Sequence, residues 1–274
     1  MLMTASHGAG KILAGGTDLL IQMRSGRVRP GTIIDVKNIP EMSTVVAEGG
    51  GFRVGAAVPC MHLVENKAFS AAWPGVIDGI NLIGSIQVRG RATVGGNLCN
   101  ASPAADSVPA MIAAGAIASV MGPNGRRELP VEEIPAGPGK TSLAPGEVVT
   151  SFYLPHRPPR SGDAYLRFTP RSEMDIAVVG VGVNLTLDEN GVCTAARVAL
   201  GAVAARAMLV PECAAALIGT KVDEAALEKL AAAASAAAQP IDDKRGTKVF
   251  RIKVSGVLAK RAALVALRRA KGEK

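Results

Sequence analysis

Two stretches of this 274-residue chain carry residue types that hold a polar ligand. The first is Leu13-Ala14-Gly15-Gly16-Thr17-Asp18-Leu19-Leu20: an apolar run, a double glycine, then a helix start. Glycine lets the backbone approach a ligand closely, and a first helical turn leaves amide N–H groups without partners. Such amides, at the positive end of a helix dipole, suit a diphosphate. A tight strand–helix turn with Thr17 or Asp18 as N-cap accounts for the same residues. The second stretch runs from Gln87 to Asp106 and is long, small-residued and rich in hydrogen-bonding groups. It lies between apolar segments, so its backbone must be satisfied inside the fold. It either wraps something polar or is an elaborate structural loop, with Asp106 capping the helix that follows.

Other chemical signatures are missing. A Walker A loop around Gly10-Lys11 would need glycine where Ala5 stands and Ser or Thr where Ile12 stands. Gly180-x-Gly182 has Leu185 in the place of a dinucleotide loop's third glycine. Cys60, Cys99, Cys193 and Cys213 form no C-x-x-C pair, and His7, His62 and His156 lack ligand spacing, so no metal site is expected. Cys99, inside the second stretch, reads as a small side chain before it reads as a redox group.

Composition narrows the classes further. At 48% hydrophobic and 20% charged residues the chain is globular, long enough for two modest domains or one large α/β unit. Aromatics at 3% argue against a base-stacking platform or a ring-lined sugar cleft. The formal charge of +8 is concentrated at the end, where Lys244–Lys274 holds eleven Lys and Arg against one Glu. A basic terminal helix is a solvated face or a docking surface for an acidic partner subunit, whereas duplex binding needs a domain-wide basic surface, so no nucleic acid is expected. The longest uncharged apolar run, Val108–Met121, is too short to span a bilayer, and the N-terminus shows no signal-peptide pattern. A cytoplasmic, reducing setting follows.

The elements that must position the two stretches are short. Strands are expected at Lys11–Leu13 and Thr32–Val36, with a helix over Thr17–Met23 between them. A hairpin follows at Ser43–Ala47 and Phe52–Ala56, then helices over Pro59–Lys67, Ala71–Ile83 and Asp106–Ala114. Strands are expected over Ala116–Met121, up to Leu129, and over Glu147–Leu154. His156–Asp163, rich in proline and charge, marks a boundary. Beyond it come three strands, Ala164–Thr169, Ile176–Leu187 and Val192–Leu200. Two helices close the chain, one capped by Asp223 and running to Ala238, the other over Val254–Ala270.

These residues carry a resemblance. AGGTDLL paired with ATVGGNLCNASPAADSVPA resembles the FAD-binding medium subunit of the molybdenum hydroxylases, the family of xanthine dehydrogenases and aerobic carbon monoxide dehydrogenases. Further matches follow in order: Leu143-Ala144-Pro145-Gly146-Glu147-Val148-Val149, Phe152-Tyr153-Leu154-Pro155, and Arg167-Phe168 with Arg171 and Asp175-Ile176-Ala177. Val198-Ala199-Leu200-Gly201, Phe250-Arg251 and Val257-Leu258 with Arg261-Ala262 complete the set. The resemblance implies an α+β fold of the vanillyl-alcohol-oxidase type. Two small α/β pieces over residues 1–157 would clasp FAD, and an α+β C-terminal domain with a three-stranded antiparallel sheet would span 163–272.

Residue by residue, the resemblance implies that Leu13, Ala14, Gly15, Gly16, Thr17, Asp18, Leu19 and Leu20 hold the diphosphate. Thr93, Gly95, Gly96 and Asn97 would lie along diphosphate and flavin, with Ser102 and Asp106 on the ribityl or adenosine side. Ile83 matches a position near the flavin ring, and Val149 and Arg167 match late contacts. It also implies a small 2Fe–2S subunit and a large molybdopterin subunit as partners, in a dimer of heterotrimers, with NAD⁺, a quinone or dioxygen as acceptor. Family members begin with a further strand and helix. Only Met1–Gly10 precede the first glycine pair here, so a shortened first piece is expected. Two other readings stay open. One is a stand-alone flavin reductase or oxidase, such as a relative of UDP-N-acetylenolpyruvoylglucosamine reductase; the other is a scaffold subunit that no longer binds FAD.

Overall fold

A computed structural model describes residues 10–172 and 174–273. The expected shortening of the first piece, and His7 with it, falls on residues 1–9 and so lies outside the described residues. Strand β1 (Gly10–Leu13), helix α1 (Leu19–Arg24) and strand β2 (Thr32–Asp35) form the opening unit. The two strands pair in parallel, Gly10 opposite Thr32 and Leu13 opposite Asp35, with α1 in the crossover between them. Ile12, Ile34 and Val36 turn into the main core. None of the six residues of α1 is buried.

A second unit carries a five-stranded sheet. Its strands are β3 (Val45–Glu48), β4 (Gly51–Gly55), β5 (Ile117–Gly122), β6 (Gly125–Pro130) and β7 (Val148–Leu154). The order is β3-β4-β7-β5-β6, and every pairing is antiparallel. Gly49 and Gly50, both at positive φ, make the expected hairpin turn. Helices α2 (Cys60–Glu65), α3 (Lys67–Ala72), α4 (Pro74–Asn81), α5 (Val94–Cys99) and α6 (Ser107–Ala113) share one core with this sheet.

Two expectations change here. The helix foreseen over Ala71–Ile83 is split, because Pro74 cannot donate to the preceding turn and instead opens α4. Asn66 starts α3 by accepting from the Phe69 amide at 3.0 Å. The second glycine stretch, expected as loop, contains α5, capped where Thr93 Oγ1 accepts from the Gly96 amide at 2.9 Å. Two glycines in a six-residue helix conceal it from any propensity reading.

The C-terminal part builds a second core on β8 (Ser161–Phe168), β9 (Val179–Leu187) and β10 (Cys193–Gly201). They run antiparallel, Gly162 opposite Leu185 and Gly182 opposite Ala199. The sheet has four strands where three were expected. The addition is β11 (Met208–Leu209), paired to Ala199 and Leu200, and two residues offer no alternation to read. Helices α7 (Pro211–Leu217), α8 (Glu224–Ala237) and α9 (Lys248–Ala270) complete this part. Asp223 caps α8 as expected, accepting from the Ala226 amide at 2.9 Å. Helix α9 begins earlier than Val254. Thr247 caps it, and Arg251 is buried, donating to the Val178 carbonyl at 2.8 Å and to Asp243 at 2.7 Å. A cationic first turn reads as solvated, which hid that start. No helix among the described residues is long and apolar enough to cross a membrane.

Candidate functional site

A cleft of about 270 Å³ separates the β1–α1 turn from the segment around α5. Ala14, Gly15, Gly16, Thr17, Asp18 and Leu19 form one wall, and Thr93, Gly95, Gly96 and Asn97 face them. Ile83 and Val149 complete the lining drawn from the sequence. The glycines are demanded by contact. A Cβ on Gly15 would stand 2.0 Å from the Arg91 carbonyl oxygen, and one on Gly95 would stand 2.3 Å from that of Ala56. Gly16 has φ +76°, the left-handed conformation that side chains resist. The amides of Gly15, Gly16, Thr17 and Asp18 donate to no acceptor among the described residues.

Five of the residues drawn from the sequence stand outside the lining. Leu13 and Leu20 instead fold over Gly16, where a Cβ would meet their Cδ1 atoms at 3.0 and 3.2 Å. Ser102 Oγ accepts from the Ala104 amide at 3.3 Å, a local turn. Asp106 and Arg167 are turned toward each other: Arg167 Nη1 donates to Asp106 Oδ2 at 2.7 Å and to the Leu82 carbonyl at 2.9 Å. Tyr165 Oη donates to Asp106 Oδ1 at 2.9 Å. Asp106 occupies the N-cap position of α6, yet its backbone is helical (φ −67°, ψ −37°) and its carboxylate makes no cap bond, turning instead to Tyr165 and Arg167. Burial pushes its carboxyl up to about 6, against the pull of Arg167 and of the Tyr165 bond. The Tyr165 phenol rises for the same reason, helped by the neighbouring Asp106 charge.

This buried pair braces the cleft from behind. Leu82 precedes the lining residue Ile83, so Arg167 holds that wall through the backbone. Ser107, next to Asp106, donates from Oγ to Asn97 Oδ1 at 2.7 Å and so fixes the facing wall.

The sequence did not single out several lining residues. Lys11 is the one lysine or arginine among the described residues of the lining, and only the fold brings it there. Gln22, Asn100 and Glu147 also line the cleft; Glu147 is held by Arg127 through two contacts of 2.7 Å. Burial raises the Asp18 carboxyl above its ordinary value. Cys99 lines the cleft too, but burial pushes its thiol up to about 12, so it offers no thiolate. Among the described residues no group of three His, Cys, Asp or Glu could hold a metal ion.

Residues 1–157 match the family model described as the FAD binding domain in molybdopterin dehydrogenase. Residues 164–266 match the CO dehydrogenase flavoprotein C-terminal domain. The chain belongs to this family of flavoprotein subunits. Its relatives among molybdenum hydroxylases include the xanthine dehydrogenase FAD-binding subunit of Escherichia coli, 33% identical over 74% of this chain and 70% of that one. The carbon monoxide dehydrogenase medium chain of Afipia carboxidovorans is 31% identical over 98% of this chain and 93% of the relative. The fold agrees: carbon monoxide dehydrogenase from Oligotropha carboxidovorans superposes with a TM-score of 0.93 at 30% identity, covering 98% of this chain and 93% of that one.

As a member of this family the chain is a subunit of an oxidoreductase and its cofactor is FAD. The cleft fits that cofactor. Amides without an acceptor among the described residues and one lysine suit a diphosphate, and Ile83, Val148 and Val149 offer apolar surface to a flat ring.

Proposed function

We propose that this chain takes electrons from 2Fe–2S clusters on a small partner subunit and passes them to an acceptor: NAD⁺, a quinone or dioxygen. A large molybdopterin subunit of the same assembly, a dimer of heterotrimers, would carry out the substrate hydroxylation. FAD supplies the conversion between one- and two-electron transfer, and the protein supplies its position and potential. The observation that carries this reading is the glycine-walled cleft in a chain of this family. Gly15, Gly16, Thr17 and Asp18 would present amides to the diphosphate, with Lys11 as counter-charge. Thr93, Gly95, Gly96 and Asn97 would lie along the diphosphate and flavin, and Ile83 and Val149 would flank the ring. Asp106 and Arg167 would act through the walls they brace.

The division into a cofactor-binding part, 1–157, and a C-terminal part, 163–272, belongs to the same proposal. It is supported by the two hydrophobic clusters, although Tyr165, Ala199 and Ala207 of the second part belong to the first cluster. A cytoplasmic setting is supported by four cysteines that are all free thiols.

Co-expression with a small 2Fe–2S subunit and a large molybdopterin subunit tests the reading. The expected result is an equimolar complex whose flavin absorbance bleaches on addition of the complex's substrate, while the isolated chain with FAD does not respond. Direct reduction and turnover by the isolated chain with a small organic substrate would overturn it in favour of a stand-alone enzyme. A folded chain that takes up no FAD would overturn it in favour of a scaffold.

A further inference from the structure

The two walls of the cleft are tied together by a single pair of side chains among the described residues. Gln22, on α1, donates from Nε2 to Asn100 Oδ1, just beyond α5, at 3.1 Å. The partners are 78 positions apart in sequence, both line the cleft, and each is half-buried.

Helix α1 has few other attachments. None of its residues is buried, and Leu20 and Ile21 are 44% and 64% exposed. The next side-chain bond along the chain, Ser25 Oγ to the Gln22 carbonyl, stays within the same turn. The base of the wall is fixed differently. Gly15 lies against the Arg91 backbone, and Ile12, Ile34 and Val36 sit in the core. The wall is thus held firmly at its base and lightly along its helix.

We propose that the Gln22–Asn100 hydrogen bond is a strap from wall to wall that holds α1 over the bound FAD and slows its release. This rests on the reading of the cleft as the FAD site. It assigns Gln22 and Asn100 a role as positioning residues: they act on the wall. Both groups are neutral amides, so the strap is insensitive to pH near neutrality and nearly insensitive to salt. Contacts to the diphosphate weaken as salt rises.

One neutral hydrogen bond of ordinary net strength corresponds to about a three- to tenfold change in rate. The full chain is loaded with FAD, diluted rapidly, and release is followed by the fluorescence of free FAD. Gln22→Leu and Asn100→Leu are each expected to speed release about three- to tenfold. Since either change breaks the same bond, the double variant is expected to release no faster than the singles. Ser25→Ala removes only the bond inside the α1 turn, outside the cleft lining, and is expected to stay slow, which also serves as the folding control. The melting temperature of the FAD-free chain should fall by no more than about 2–4 °C.

Unchanged release in both single variants overturns the strap. So does multiplication of the two effects in the double variant, because that result means each residue contacts FAD on its own. Failure of the FAD reading looks different: the unaltered chain would take up no FAD at all. If Asn100→Leu does not fold, Gln22→Leu against Ser25→Ala decides the matter alone.

Discussion

Gly15→Ala adds one methyl group at the tightest point of the cleft wall. Gly15 does not have a positive φ, so the change brings no backbone strain of its own and its effect is steric. The new Cβ would stand 2.0 Å from the Arg91 carbonyl oxygen, 2.7 Å from its carbon and 3.0 Å from Ala92 Cα. Real Cβ atoms do not approach within 3.0 Å, so about 1 Å of separation must be found. The Arg91–Ala92 side cannot supply it. Ala92 is held on both faces, its amide donating to Val88 at 2.7 Å and its carbonyl accepting from Cys60 at 2.8 Å. The β1–α1 turn must therefore move, and with it the free amides of Gly15 to Asp18. Overpacking of this kind costs about 1–3 kcal/mol of stability. A displacement of about 1 Å also takes N–H···O contacts out of hydrogen-bonding range. Losing two charge-assisted bonds weakens FAD binding by about 3 kcal/mol, or about a hundredfold. The assay is fluorescence titration with FAD, beside flavin absorbance of the purified protein and its melting temperature. Gly137→Ala is the control, since nothing lies within 4 Å of that Cβ. If Gly15→Ala binds FAD within about twofold of the unaltered chain, well under 1 kcal/mol, the steric argument and the placement of the diphosphate are both wrong.

Arg167→Met strands the Asp106 carboxyl in a buried site without its cation, and unfolding by urea should show a loss of about 3–5 kcal/mol. Arg167→Met combined with Asp106→Leu should recover much of that loss, because no buried charge then lacks a partner. The pH dependence follows from Asp106 and Asp163, both pushed up to about 6 chiefly by burial. Folded values above the unfolded 3.8 mean that the folded chain binds more protons between about pH 4 and 6. These two groups therefore make the protein more stable as pH falls through that window, by at most about 3 kcal/mol each. Urea midpoints across the window check the sign, and Asp106→Asn should flatten the slope. A pH response left unchanged by Asp106→Asn would reject the buried-carboxyl account.

Much of this was legible in the sequence because the glycines do two jobs at once. Gly15-Gly16 and Gly95-Gly96 interrupt apolar periodicity, which marks them in the chain, and at Gly15 and Gly95 backbone must meet backbone. What escaped the reading depends on long-range contact. Asp106 was legible as a polar residue in a site-bearing segment, but its partners Tyr165 and Arg167 lie 59 and 61 positions away. No local pattern distinguishes a carboxylate that meets a ligand from one that meets an arginine. Gln22 and Asn100 were passed over for the same reason: amide side chains fit a solvated surface equally well until the fold faces them across a cleft. Strand β11 and helix α5 were lost to length, since neither two residues nor a glycine-bearing single turn carries a period.

The C-terminal part does more than follow the cleft in sequence; it sets the cleft's shape. A Cβ on Gly182 of β9 would lie 2.4 Å from the Pro109 carbonyl, so the second sheet touches the backbone of α6. Arg269, near the end of α9, donates to Asp78 of α4 at 2.6 Å and to the Asp163 carbonyl at 2.7 Å. Asp163 Oδ2 accepts from the Gly75 amide at 2.8 Å, and Arg157 packs over the Trp73 ring with its guanidinium carbon 5.0 Å from the centroid. These contacts hold α4 and α6, and from them Leu82 and Asn97 set the two walls. The basic end of the chain thus uses part of its charge inward, on carboxylates of the cofactor-binding part. A chain cut after residue 157 would keep both glycine turns and lose Tyr165, Arg167 and Arg269, leaving Asp106 and Asp78 without their partners. Gly15 and Gly95 let each turn close on neighbouring backbone, and the second core holds the elements from which the two walls are set.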